Sequence, residues 1–437
     1  MSAPGHSLPF DTAVTRVLGT LTAAGASAER RAWRVPGRLE VLGKHTDYAG
    51  GRSLLAATEP ALVVAAAPRG DRRVRVTDIG RDAVVELALA PDLAIDHGSW
   101  GRYPTTVARR LARDFPDLGT GAEIAFASSL PSAAGVSSSS ALVVAMFTAL
   151  AAVNDLAARP EYRAALPDGA SLATYLGSIE SGAAYGPFAA DFGVGTAGGS
   201  EDHTAILLGR RGALGRFAFC PVRPEASVPL PAGLAFVVAG SGVHAAKASG
   251  ARDAFNRLAS TAAALVTVWR RATGGDESTL GAILELPGAA ERLAGIVRAS
   301  AEAGIPPPEL LARLDQFVLE SEHAVPGAAA ALVDGDLGRF AAWVERSVEA
   351  GVRGLGNQVP ETLALVASAR RLGAIAASPF GAGFGGSVWA LLPTDDAAAF
   401  GETWLADHRA AFPACAARAG FFLTGAADGL SPLLGVA

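Results

Sequence analysis

Arg38, Lys44, His45 and Asp47 fall within one short stretch, Val-Pro-Gly-Arg-Leu-Glu-Val-Leu-Gly-Lys-His-Thr-Asp-Tyr, at Val35–Tyr48. Such a set supplies both donors and acceptors for a small polar molecule, and the Arg38 fork can bridge a phosphoryl oxygen and a hydroxyl. Gly43 beside it and Gly50-Gly51 after it fit a turn, where the same charges could equally form ordinary surface ion pairs. A second stretch, Leu-Pro-Ser-Ala-Ala-Gly-Val-Ser-Ser-Ser-Ser-Ala at Leu130–Ala141, sets Gly135 and a run of serines ahead of an apolar segment. A Gly-rich turn entering a helix points backbone N–H groups at an anion, with the helix dipole behind them. The serines add hydroxyl donors and one possible Mg²⁺ ligand, or serve only as a helix cap. No Gly-Lys-Ser/Thr follows, so this is not a Walker loop.

A third stretch, Gly-Ala-Gly-Phe-Gly-Gly-Ser at Gly381–Ser387, can cradle phosphate or make a tight turn before a strand. A fourth, Gly195–Ile206, carries Glu201 and Asp202 in a Gly-rich loop. Asp202, with Glu201 as its rival, is the candidate for positioning or deprotonating a nucleophilic hydroxyl, or for capping the next segment. Taken in order along one chain, these stretches point to phosphoryl transfer onto a small molecule.

The elements that must position these residues follow from periodicity. Helices are predicted over Phe10–Arg30, Tyr103–Asp114, Ala141–Val153, Leu172–Ser181, Asp253–Thr273, Pro308–Glu322 and Pro360–Leu372, and strands over Arg34–Val41, Ala61–Ala67, Arg73–Val76, Val84–Ala88, Ala122–Ala127, Leu234–Ala239 and Ser387–Leu392. Strands and helices interleave without strict alternation, which predicts an α+β fold. The 437 residues suggest two domains, 1–212 and 213–437, with the boundary near Gly209–Arg216.

Half the residues are hydrophobic, enough for a full core, and the net charge of −5 without a dense Lys/Arg run argues against a nucleic-acid binder. Cys220 and Cys415 lack metal-ligand spacing and are too few for a disulfide scaffold. The longest apolar run, Ala141–Val153, is too short to span a bilayer, and Met1–Phe10 lacks a secretory pattern. A cytoplasmic, membrane-free monomer is expected.

The motifs, in this order, resemble those of the GHMP small-molecule kinases, and most closely the galactokinases. The first is similar to the galactokinase pattern Pro-Gly-Arg-Val-Asn-Leu-Ile-Gly-Glu-His-Thr-Asp-Tyr, and Gln358–Thr362 is similar to a segment between the second and third motifs. The resemblance implies a two-domain fold with the active site between the N- and C-terminal domains, ATP with Mg²⁺ as donor, and a sugar anomeric hydroxyl as acceptor. It implies Arg38 as the transition-state arginine, Asp202 as the active-site aspartate, and Ser139 and Glu180 as metal ligands. It implies sugar contacts from Arg38, Lys44, His45, Asp47, Gly199, Asp202 and Phe255, the last where galactokinases usually carry tyrosine. Phosphate contacts are implied for Pro131, Ser132, Ala133, Ala134, Gly135, Val136, Ser137, Ser138, Ser139 and Ser140, and for Gly383 and Gly385.

The chain departs from the pattern at Glu40 (for Asn), Ala133 (for Gly), Lys44 (for Glu) and Phe255 (for Tyr), and its loop between Glu180 and Asp202 is long. A lysine can only donate. Lys44 in the pocket would therefore favour an anionic sugar such as galacturonate, whereas Lys44 turned to solvent leaves galactose as substrate. A catalytically silent sugar sensor is a further alternative. The His45–Tyr48 run speaks against a non-sugar alcohol acceptor.

Overall fold

The computed structural model describes residues 7–26, 29–131, 135–243, 251–299 and 304–433. Twelve strands are present among them: β1 (Arg31–Leu42), β2 (Arg52–Arg69), β3 (Arg73–Asp78), β4 (Ala83–Ala88), β5 (Gly121–Ser128), β6 (Ala213–Ala218), β7 (Arg223–Pro229), β8 (Leu234–Gly240), β9 (Ala376–Phe380), β10 (Ser387–Pro393), β11 (Gly420–Thr424) and β12 (Ser431–Pro432). An eight-stranded sheet runs β12-β1-β2-β5-β3-β4, with β6 pairing β2 and β7. β2 is long enough to serve two partners on one edge. Arg52–Leu55 pair with Ala218–Gly215, and Leu62–Arg69 with Ser128–Gly121. The second sheet, β11-β8-β10-β9, is antiparallel throughout.

The apolar run Ala61–Ala67 is buried on both faces of β2, as befits a strand with cover on each side. Helix Ser138–Val153 covers one face and is apolar almost all round, the signature of a helix sunk in a core. The first helix ends at Ala23, short of Arg30, because Gly25 turns left-handed (φ +75°) just beyond it. Helix Pro307–Val318 widens into a π turn, Leu319–Ala324, before continuing as Val325–Val333. Pro326 has no N–H to give the preceding turn, so the α ladder cannot close there.

The boundary expected at 212/213 falls inside the large sheet. β6 and β7 extend it beside β2, and β12 returns to its far edge against β1. The chain passes to the small sheet only between Pro229 and Leu234. Backbone pairing of a hairpin leaves no compositional mark, so the sequence does not show this. Among the described residues, no helix is long and apolar enough to cross a membrane.

Candidate active site

A cavity of about 610 Å³ opens where the N-terminus of helix Ser138–Val153, the end of β1 and the Gly381–Phe384 loop meet, a size suited to small-molecule sites. Arg38 and Glu40 lie two apart on β1, and both line it. Arg38 is buried. Its Nε donates to Asp202 Oδ1 at 2.6 Å and lies 3.6 Å from Glu201 Oε1, while Nη1 donates to the Gly135 carbonyl at 3.3 Å. Burial alone would lower the Arg38 pKa, but the carboxylates of Asp202, Glu201 and Glu40 outweigh it and raise it.

The two rival carboxylates differ in state. For Asp202, burial is opposed by the Arg38 and His203 charges, and its pKa ends below the ordinary value. Glu201 is pushed well up, first by burial and then by Glu40, and accepts from Ser53 Oγ at 2.8 Å. Of the pair, Asp202 is the one whose charged form the site favours. Ser140 Oγ donates toward both Glu180 Oε2 (2.8 Å) and Asp202 Oδ2 (3.1 Å), and its single proton serves one at a time. Glu180 Oε2 also lies 3.1 Å from His203 Nε2. The hydroxyl that meets Glu180 is thus that of Ser140, whereas Ser139, the serine expected there, lines the cavity beside it. Four consecutive serines leave the choice to helix phase.

The loop after β1 is strained and tied down. His45 is left-handed (φ +57°), and Arg313 Nη2 donates to its carbonyl at 2.5 Å. Gln316 Nε2 donates to the Lys44 carbonyl, and Glu320 Oε1 accepts from the N–H groups of Gly43 (2.7 Å) and Lys44 (3.2 Å). Sequence reasoning missed these three residues. Their spacing, 313, 316 and 320, is a polar stripe on one face of a predicted helix, and that was the available signal.

His45 is neutral: burial, then the Arg313 charge, lower its pKa to about 3. His45 Nε2 lies 3.2 Å from both the Ala382 carbonyl and Asn357 Nδ2, and Nδ1 lies 3.1 Å from the Tyr48 hydroxyl, so both ring nitrogens are engaged. Burial keeps the Tyr48 hydroxyl protonated, with a pKa of about 12.

Asp47 Oδ2 accepts from the Glu201 N–H at 3.1 Å, and burial raises its pKa. A Cβ on Gly199 would stand 2.3 Å from Asp47 Oδ2, so only glycine fits there. Phe255 lines the cavity with its ring centroid 5.4 Å from that of His45.

Other expected residues lie elsewhere. Lys44 points neither into the cavity nor to solvent. It is buried, with Nζ donating to Ser347 Oγ at 2.9 Å and 4.0 Å from Glu320 Oε1. Among the described residues, the cavity therefore has no ammonium to hold a sugar carboxylate. Gly383 and Gly385 are spacers: a Cβ on either would strike Asn357 or Val243, while Gly381, Ala382 and Phe384 of the same loop form the wall. Ser139 and Ser140 of the serine run line the cavity, Ser137 stands at the N-cap position in a left-handed conformation without a side-chain capping bond, and Ser138 is exposed on the first turn. Val136 is buried, its carbonyl accepting from the Arg38 N–H, and Pro131 is half-buried. Ser132, Ala133 and Ala134 lie outside the described residues.

Residues 102–193 match the GHMP kinases N terminal domain and 328–408 the GHMP kinases C terminal domain. Residues 22–68 match the galactokinase galactose-binding signature. The chain is 30% identical over 384 residues to the galactokinase of Chloroflexus aurantiacus, covering 84% of this chain and 85% of that one. It is 30% identical over 308 residues to that of Chloroflexus aggregans, covering 70% and 68%. The fold matches Lactococcus lactis galactokinase complexed with galactose, with a TM-score of 0.78 at 21% identity over 96% of this chain and 99% of that one. The protein is thus built as a GHMP kinase. Within that class, the chain belongs to the galactokinase family.

Proposed function

We propose that the protein transfers the γ-phosphoryl group of ATP to the anomeric hydroxyl of galactose. The observation that carries the reading is the Arg38–Asp202 pair lining the cavity, beside the helix N-terminus that can receive phosphate. Asp202, ionised and held below the ordinary carboxylate range, is a weak base. It orients the acceptor hydroxyl and takes its proton late, as the oxygen forms its bond to phosphorus and the bond to the β,γ-bridging oxygen breaks. Arg38 is placed to stabilise charge on the transferring group. Asp47 accepts from ring hydroxyls, and Gly199 leaves room for it.

Glu180 with the Ser139 and Ser140 hydroxyls is a hard oxygen set that fits Mg²⁺, which usually takes one or two carboxylates and completes its shell with phosphate and water. Among the described residues no group of three or more His, Cys, Asp or Glu could hold a metal by itself. Mg²⁺ bound there would neutralise charge on the phosphate oxygens.

The buried position of Lys44 removes the reason for preferring a uronic acid. Retention of Arg38, Asp202 and Glu180 around one cavity favours catalysis over a silent sensor. We also propose two lobes, with the passage at 229–234, and a cytoplasmic monomer. The test is the product: phosphorus–proton coupling in the NMR spectrum places the new phosphate on C1, and phosphate on any other carbon refutes the reading.

A further inference from the structure

The acceptor end of the cavity has two unlike walls. One offers Asp47, Asp202 and Arg38. The other is a cluster of three rings, His45, Tyr48 and Phe255, with centroids 5.4 to 6.4 Å apart. Each ring has committed or lacks its polar atoms. Both His45 nitrogens are engaged, by the Ala382 carbonyl and the Tyr48 hydroxyl. The Tyr48 hydroxyl is spent on His45, and Phe255 has none. Lys44, which would bring a charge to this end, folds back onto Ser347. Asp253 also lines the cavity and is exposed.

The reacting hydroxyl must face Asp202 and Arg38, and the ring hydroxyls Asp47. That leaves the carbon end of the sugar for the rings. A hydroxyl delivered against these three rings gives up its bonds to water and finds no free partner on them, whereas a methyl group or hydrogen gives up nothing. We propose that the site takes galacto-configured sugars without a polar exocyclic group, 6-deoxyhexoses and pentopyranoses, at least as well as galactose. Phe255 and the inward fold of Lys44 determine this. The inference rests on the sugar-kinase reading above.

The test is kcat/KM of the full chain with MgATP for galactose, 6-deoxygalactose and the pentose of matching ring configuration, L-arabinose. 6-Deoxygalactose should equal galactose or exceed it by up to about tenfold, the scale on which an apolar pocket separates such pairs. Phe255→Tyr restores a hydroxyl to the wall and should move the ratio about tenfold toward galactose. A wild-type preference for galactose of tenfold or more would overturn the inference while leaving the sugar-kinase reading intact, and needs no variant. Absence of ADP release with every sugar would overturn both.

Discussion

Replacing Lys44 by methionine keeps the aliphatic stem and removes the charge. In the folded chain that charge is buried, 4.0 Å from Glu320 Oε1, and Glu320 is wholly buried with Oε2 unpartnered. The Coulomb attraction at 4 Å in a medium of effective dielectric about 20 is about 4 kcal/mol. Stripping one partner from a buried pair typically costs about 3–5 kcal/mol. Glu320 keeps two backbone donors, Gly43 and Lys44, so the lower end, about 3 kcal/mol, is expected. Scanning calorimetry should show a fall in Tm of several degrees, at about 2–4 °C per kcal/mol for large domains. Lys44→Glu should be worse, because it adds a third carboxyl beside Glu40 and Glu320. The double variant Lys44→Met/Glu320→Gln should recover part of the loss, since neither charge is then orphaned. Sugar preference should not follow the charge at position 44. A Lys44→Met protein as stable as wild type but altered in sugar preference would refute this reasoning and put the ammonium in the pocket.

Asp202→Asn should lower kcat about 10²–10⁴-fold with ATP and sugar still binding by calorimetry, whereas Glu201→Gln should stay within about threefold, because Arg38 bonds Asp202 at 2.6 Å while Glu201 is turned to Ser53 Oγ and an amide still accepts there. Gly199→Ala should raise the sugar KM about tenfold or more and spare the KM for ATP, since its methyl would meet Asp47 Oδ2 at 2.3 Å. His45 stays neutral down to a pKa of about 3, while an unfolded histidine takes a proton near pH 6.5. Its contribution is therefore intact above pH 6.5 and is lost as pH falls from there toward 3. Denaturant titrations should show the stability advantage of wild type over His45→Asn shrinking by about 1.4 kcal/mol between pH 7.5 and 5.5, and a constant difference would contradict the buried neutral ring.

Much of the scaffold was legible because burial writes itself into periodicity. The Ala61–Ala67 run is apolar throughout because β2 is buried on both faces there, and Ala141–Val153 is broken only by the half-buried Thr148 because helix Ser138–Val153 is sunk along most of its length. The motif glycines and serines carry backbone and hydroxyl chemistry in their residue types, and the structure brings Arg38, Asp47, Glu180 and Asp202 to one cavity. What was hidden depends on direction. The charge of Lys44 is visible in the chain, but the way its side chain turns is set by Ser347, some three hundred positions later. Likewise, the stripe Arg313–Gln316–Glu320 reads as an ordinary helix face until the His45 loop docks on it. Gly383 and Gly385 look like a phosphate cradle in sequence, yet their missing side chains make room for Asn357 and Val243.

The central claim is galactose-dependent turnover at the Arg38–Asp202 pair. The most direct measurement is ADP release from MgATP by the full chain, with and without galactose, for wild type and Asp202→Asn side by side. The account predicts steady ADP formation only with galactose and only in the wild type. Binding of both ligands by calorimetry with no ADP formed, or equal turnover in the two proteins, would contradict it.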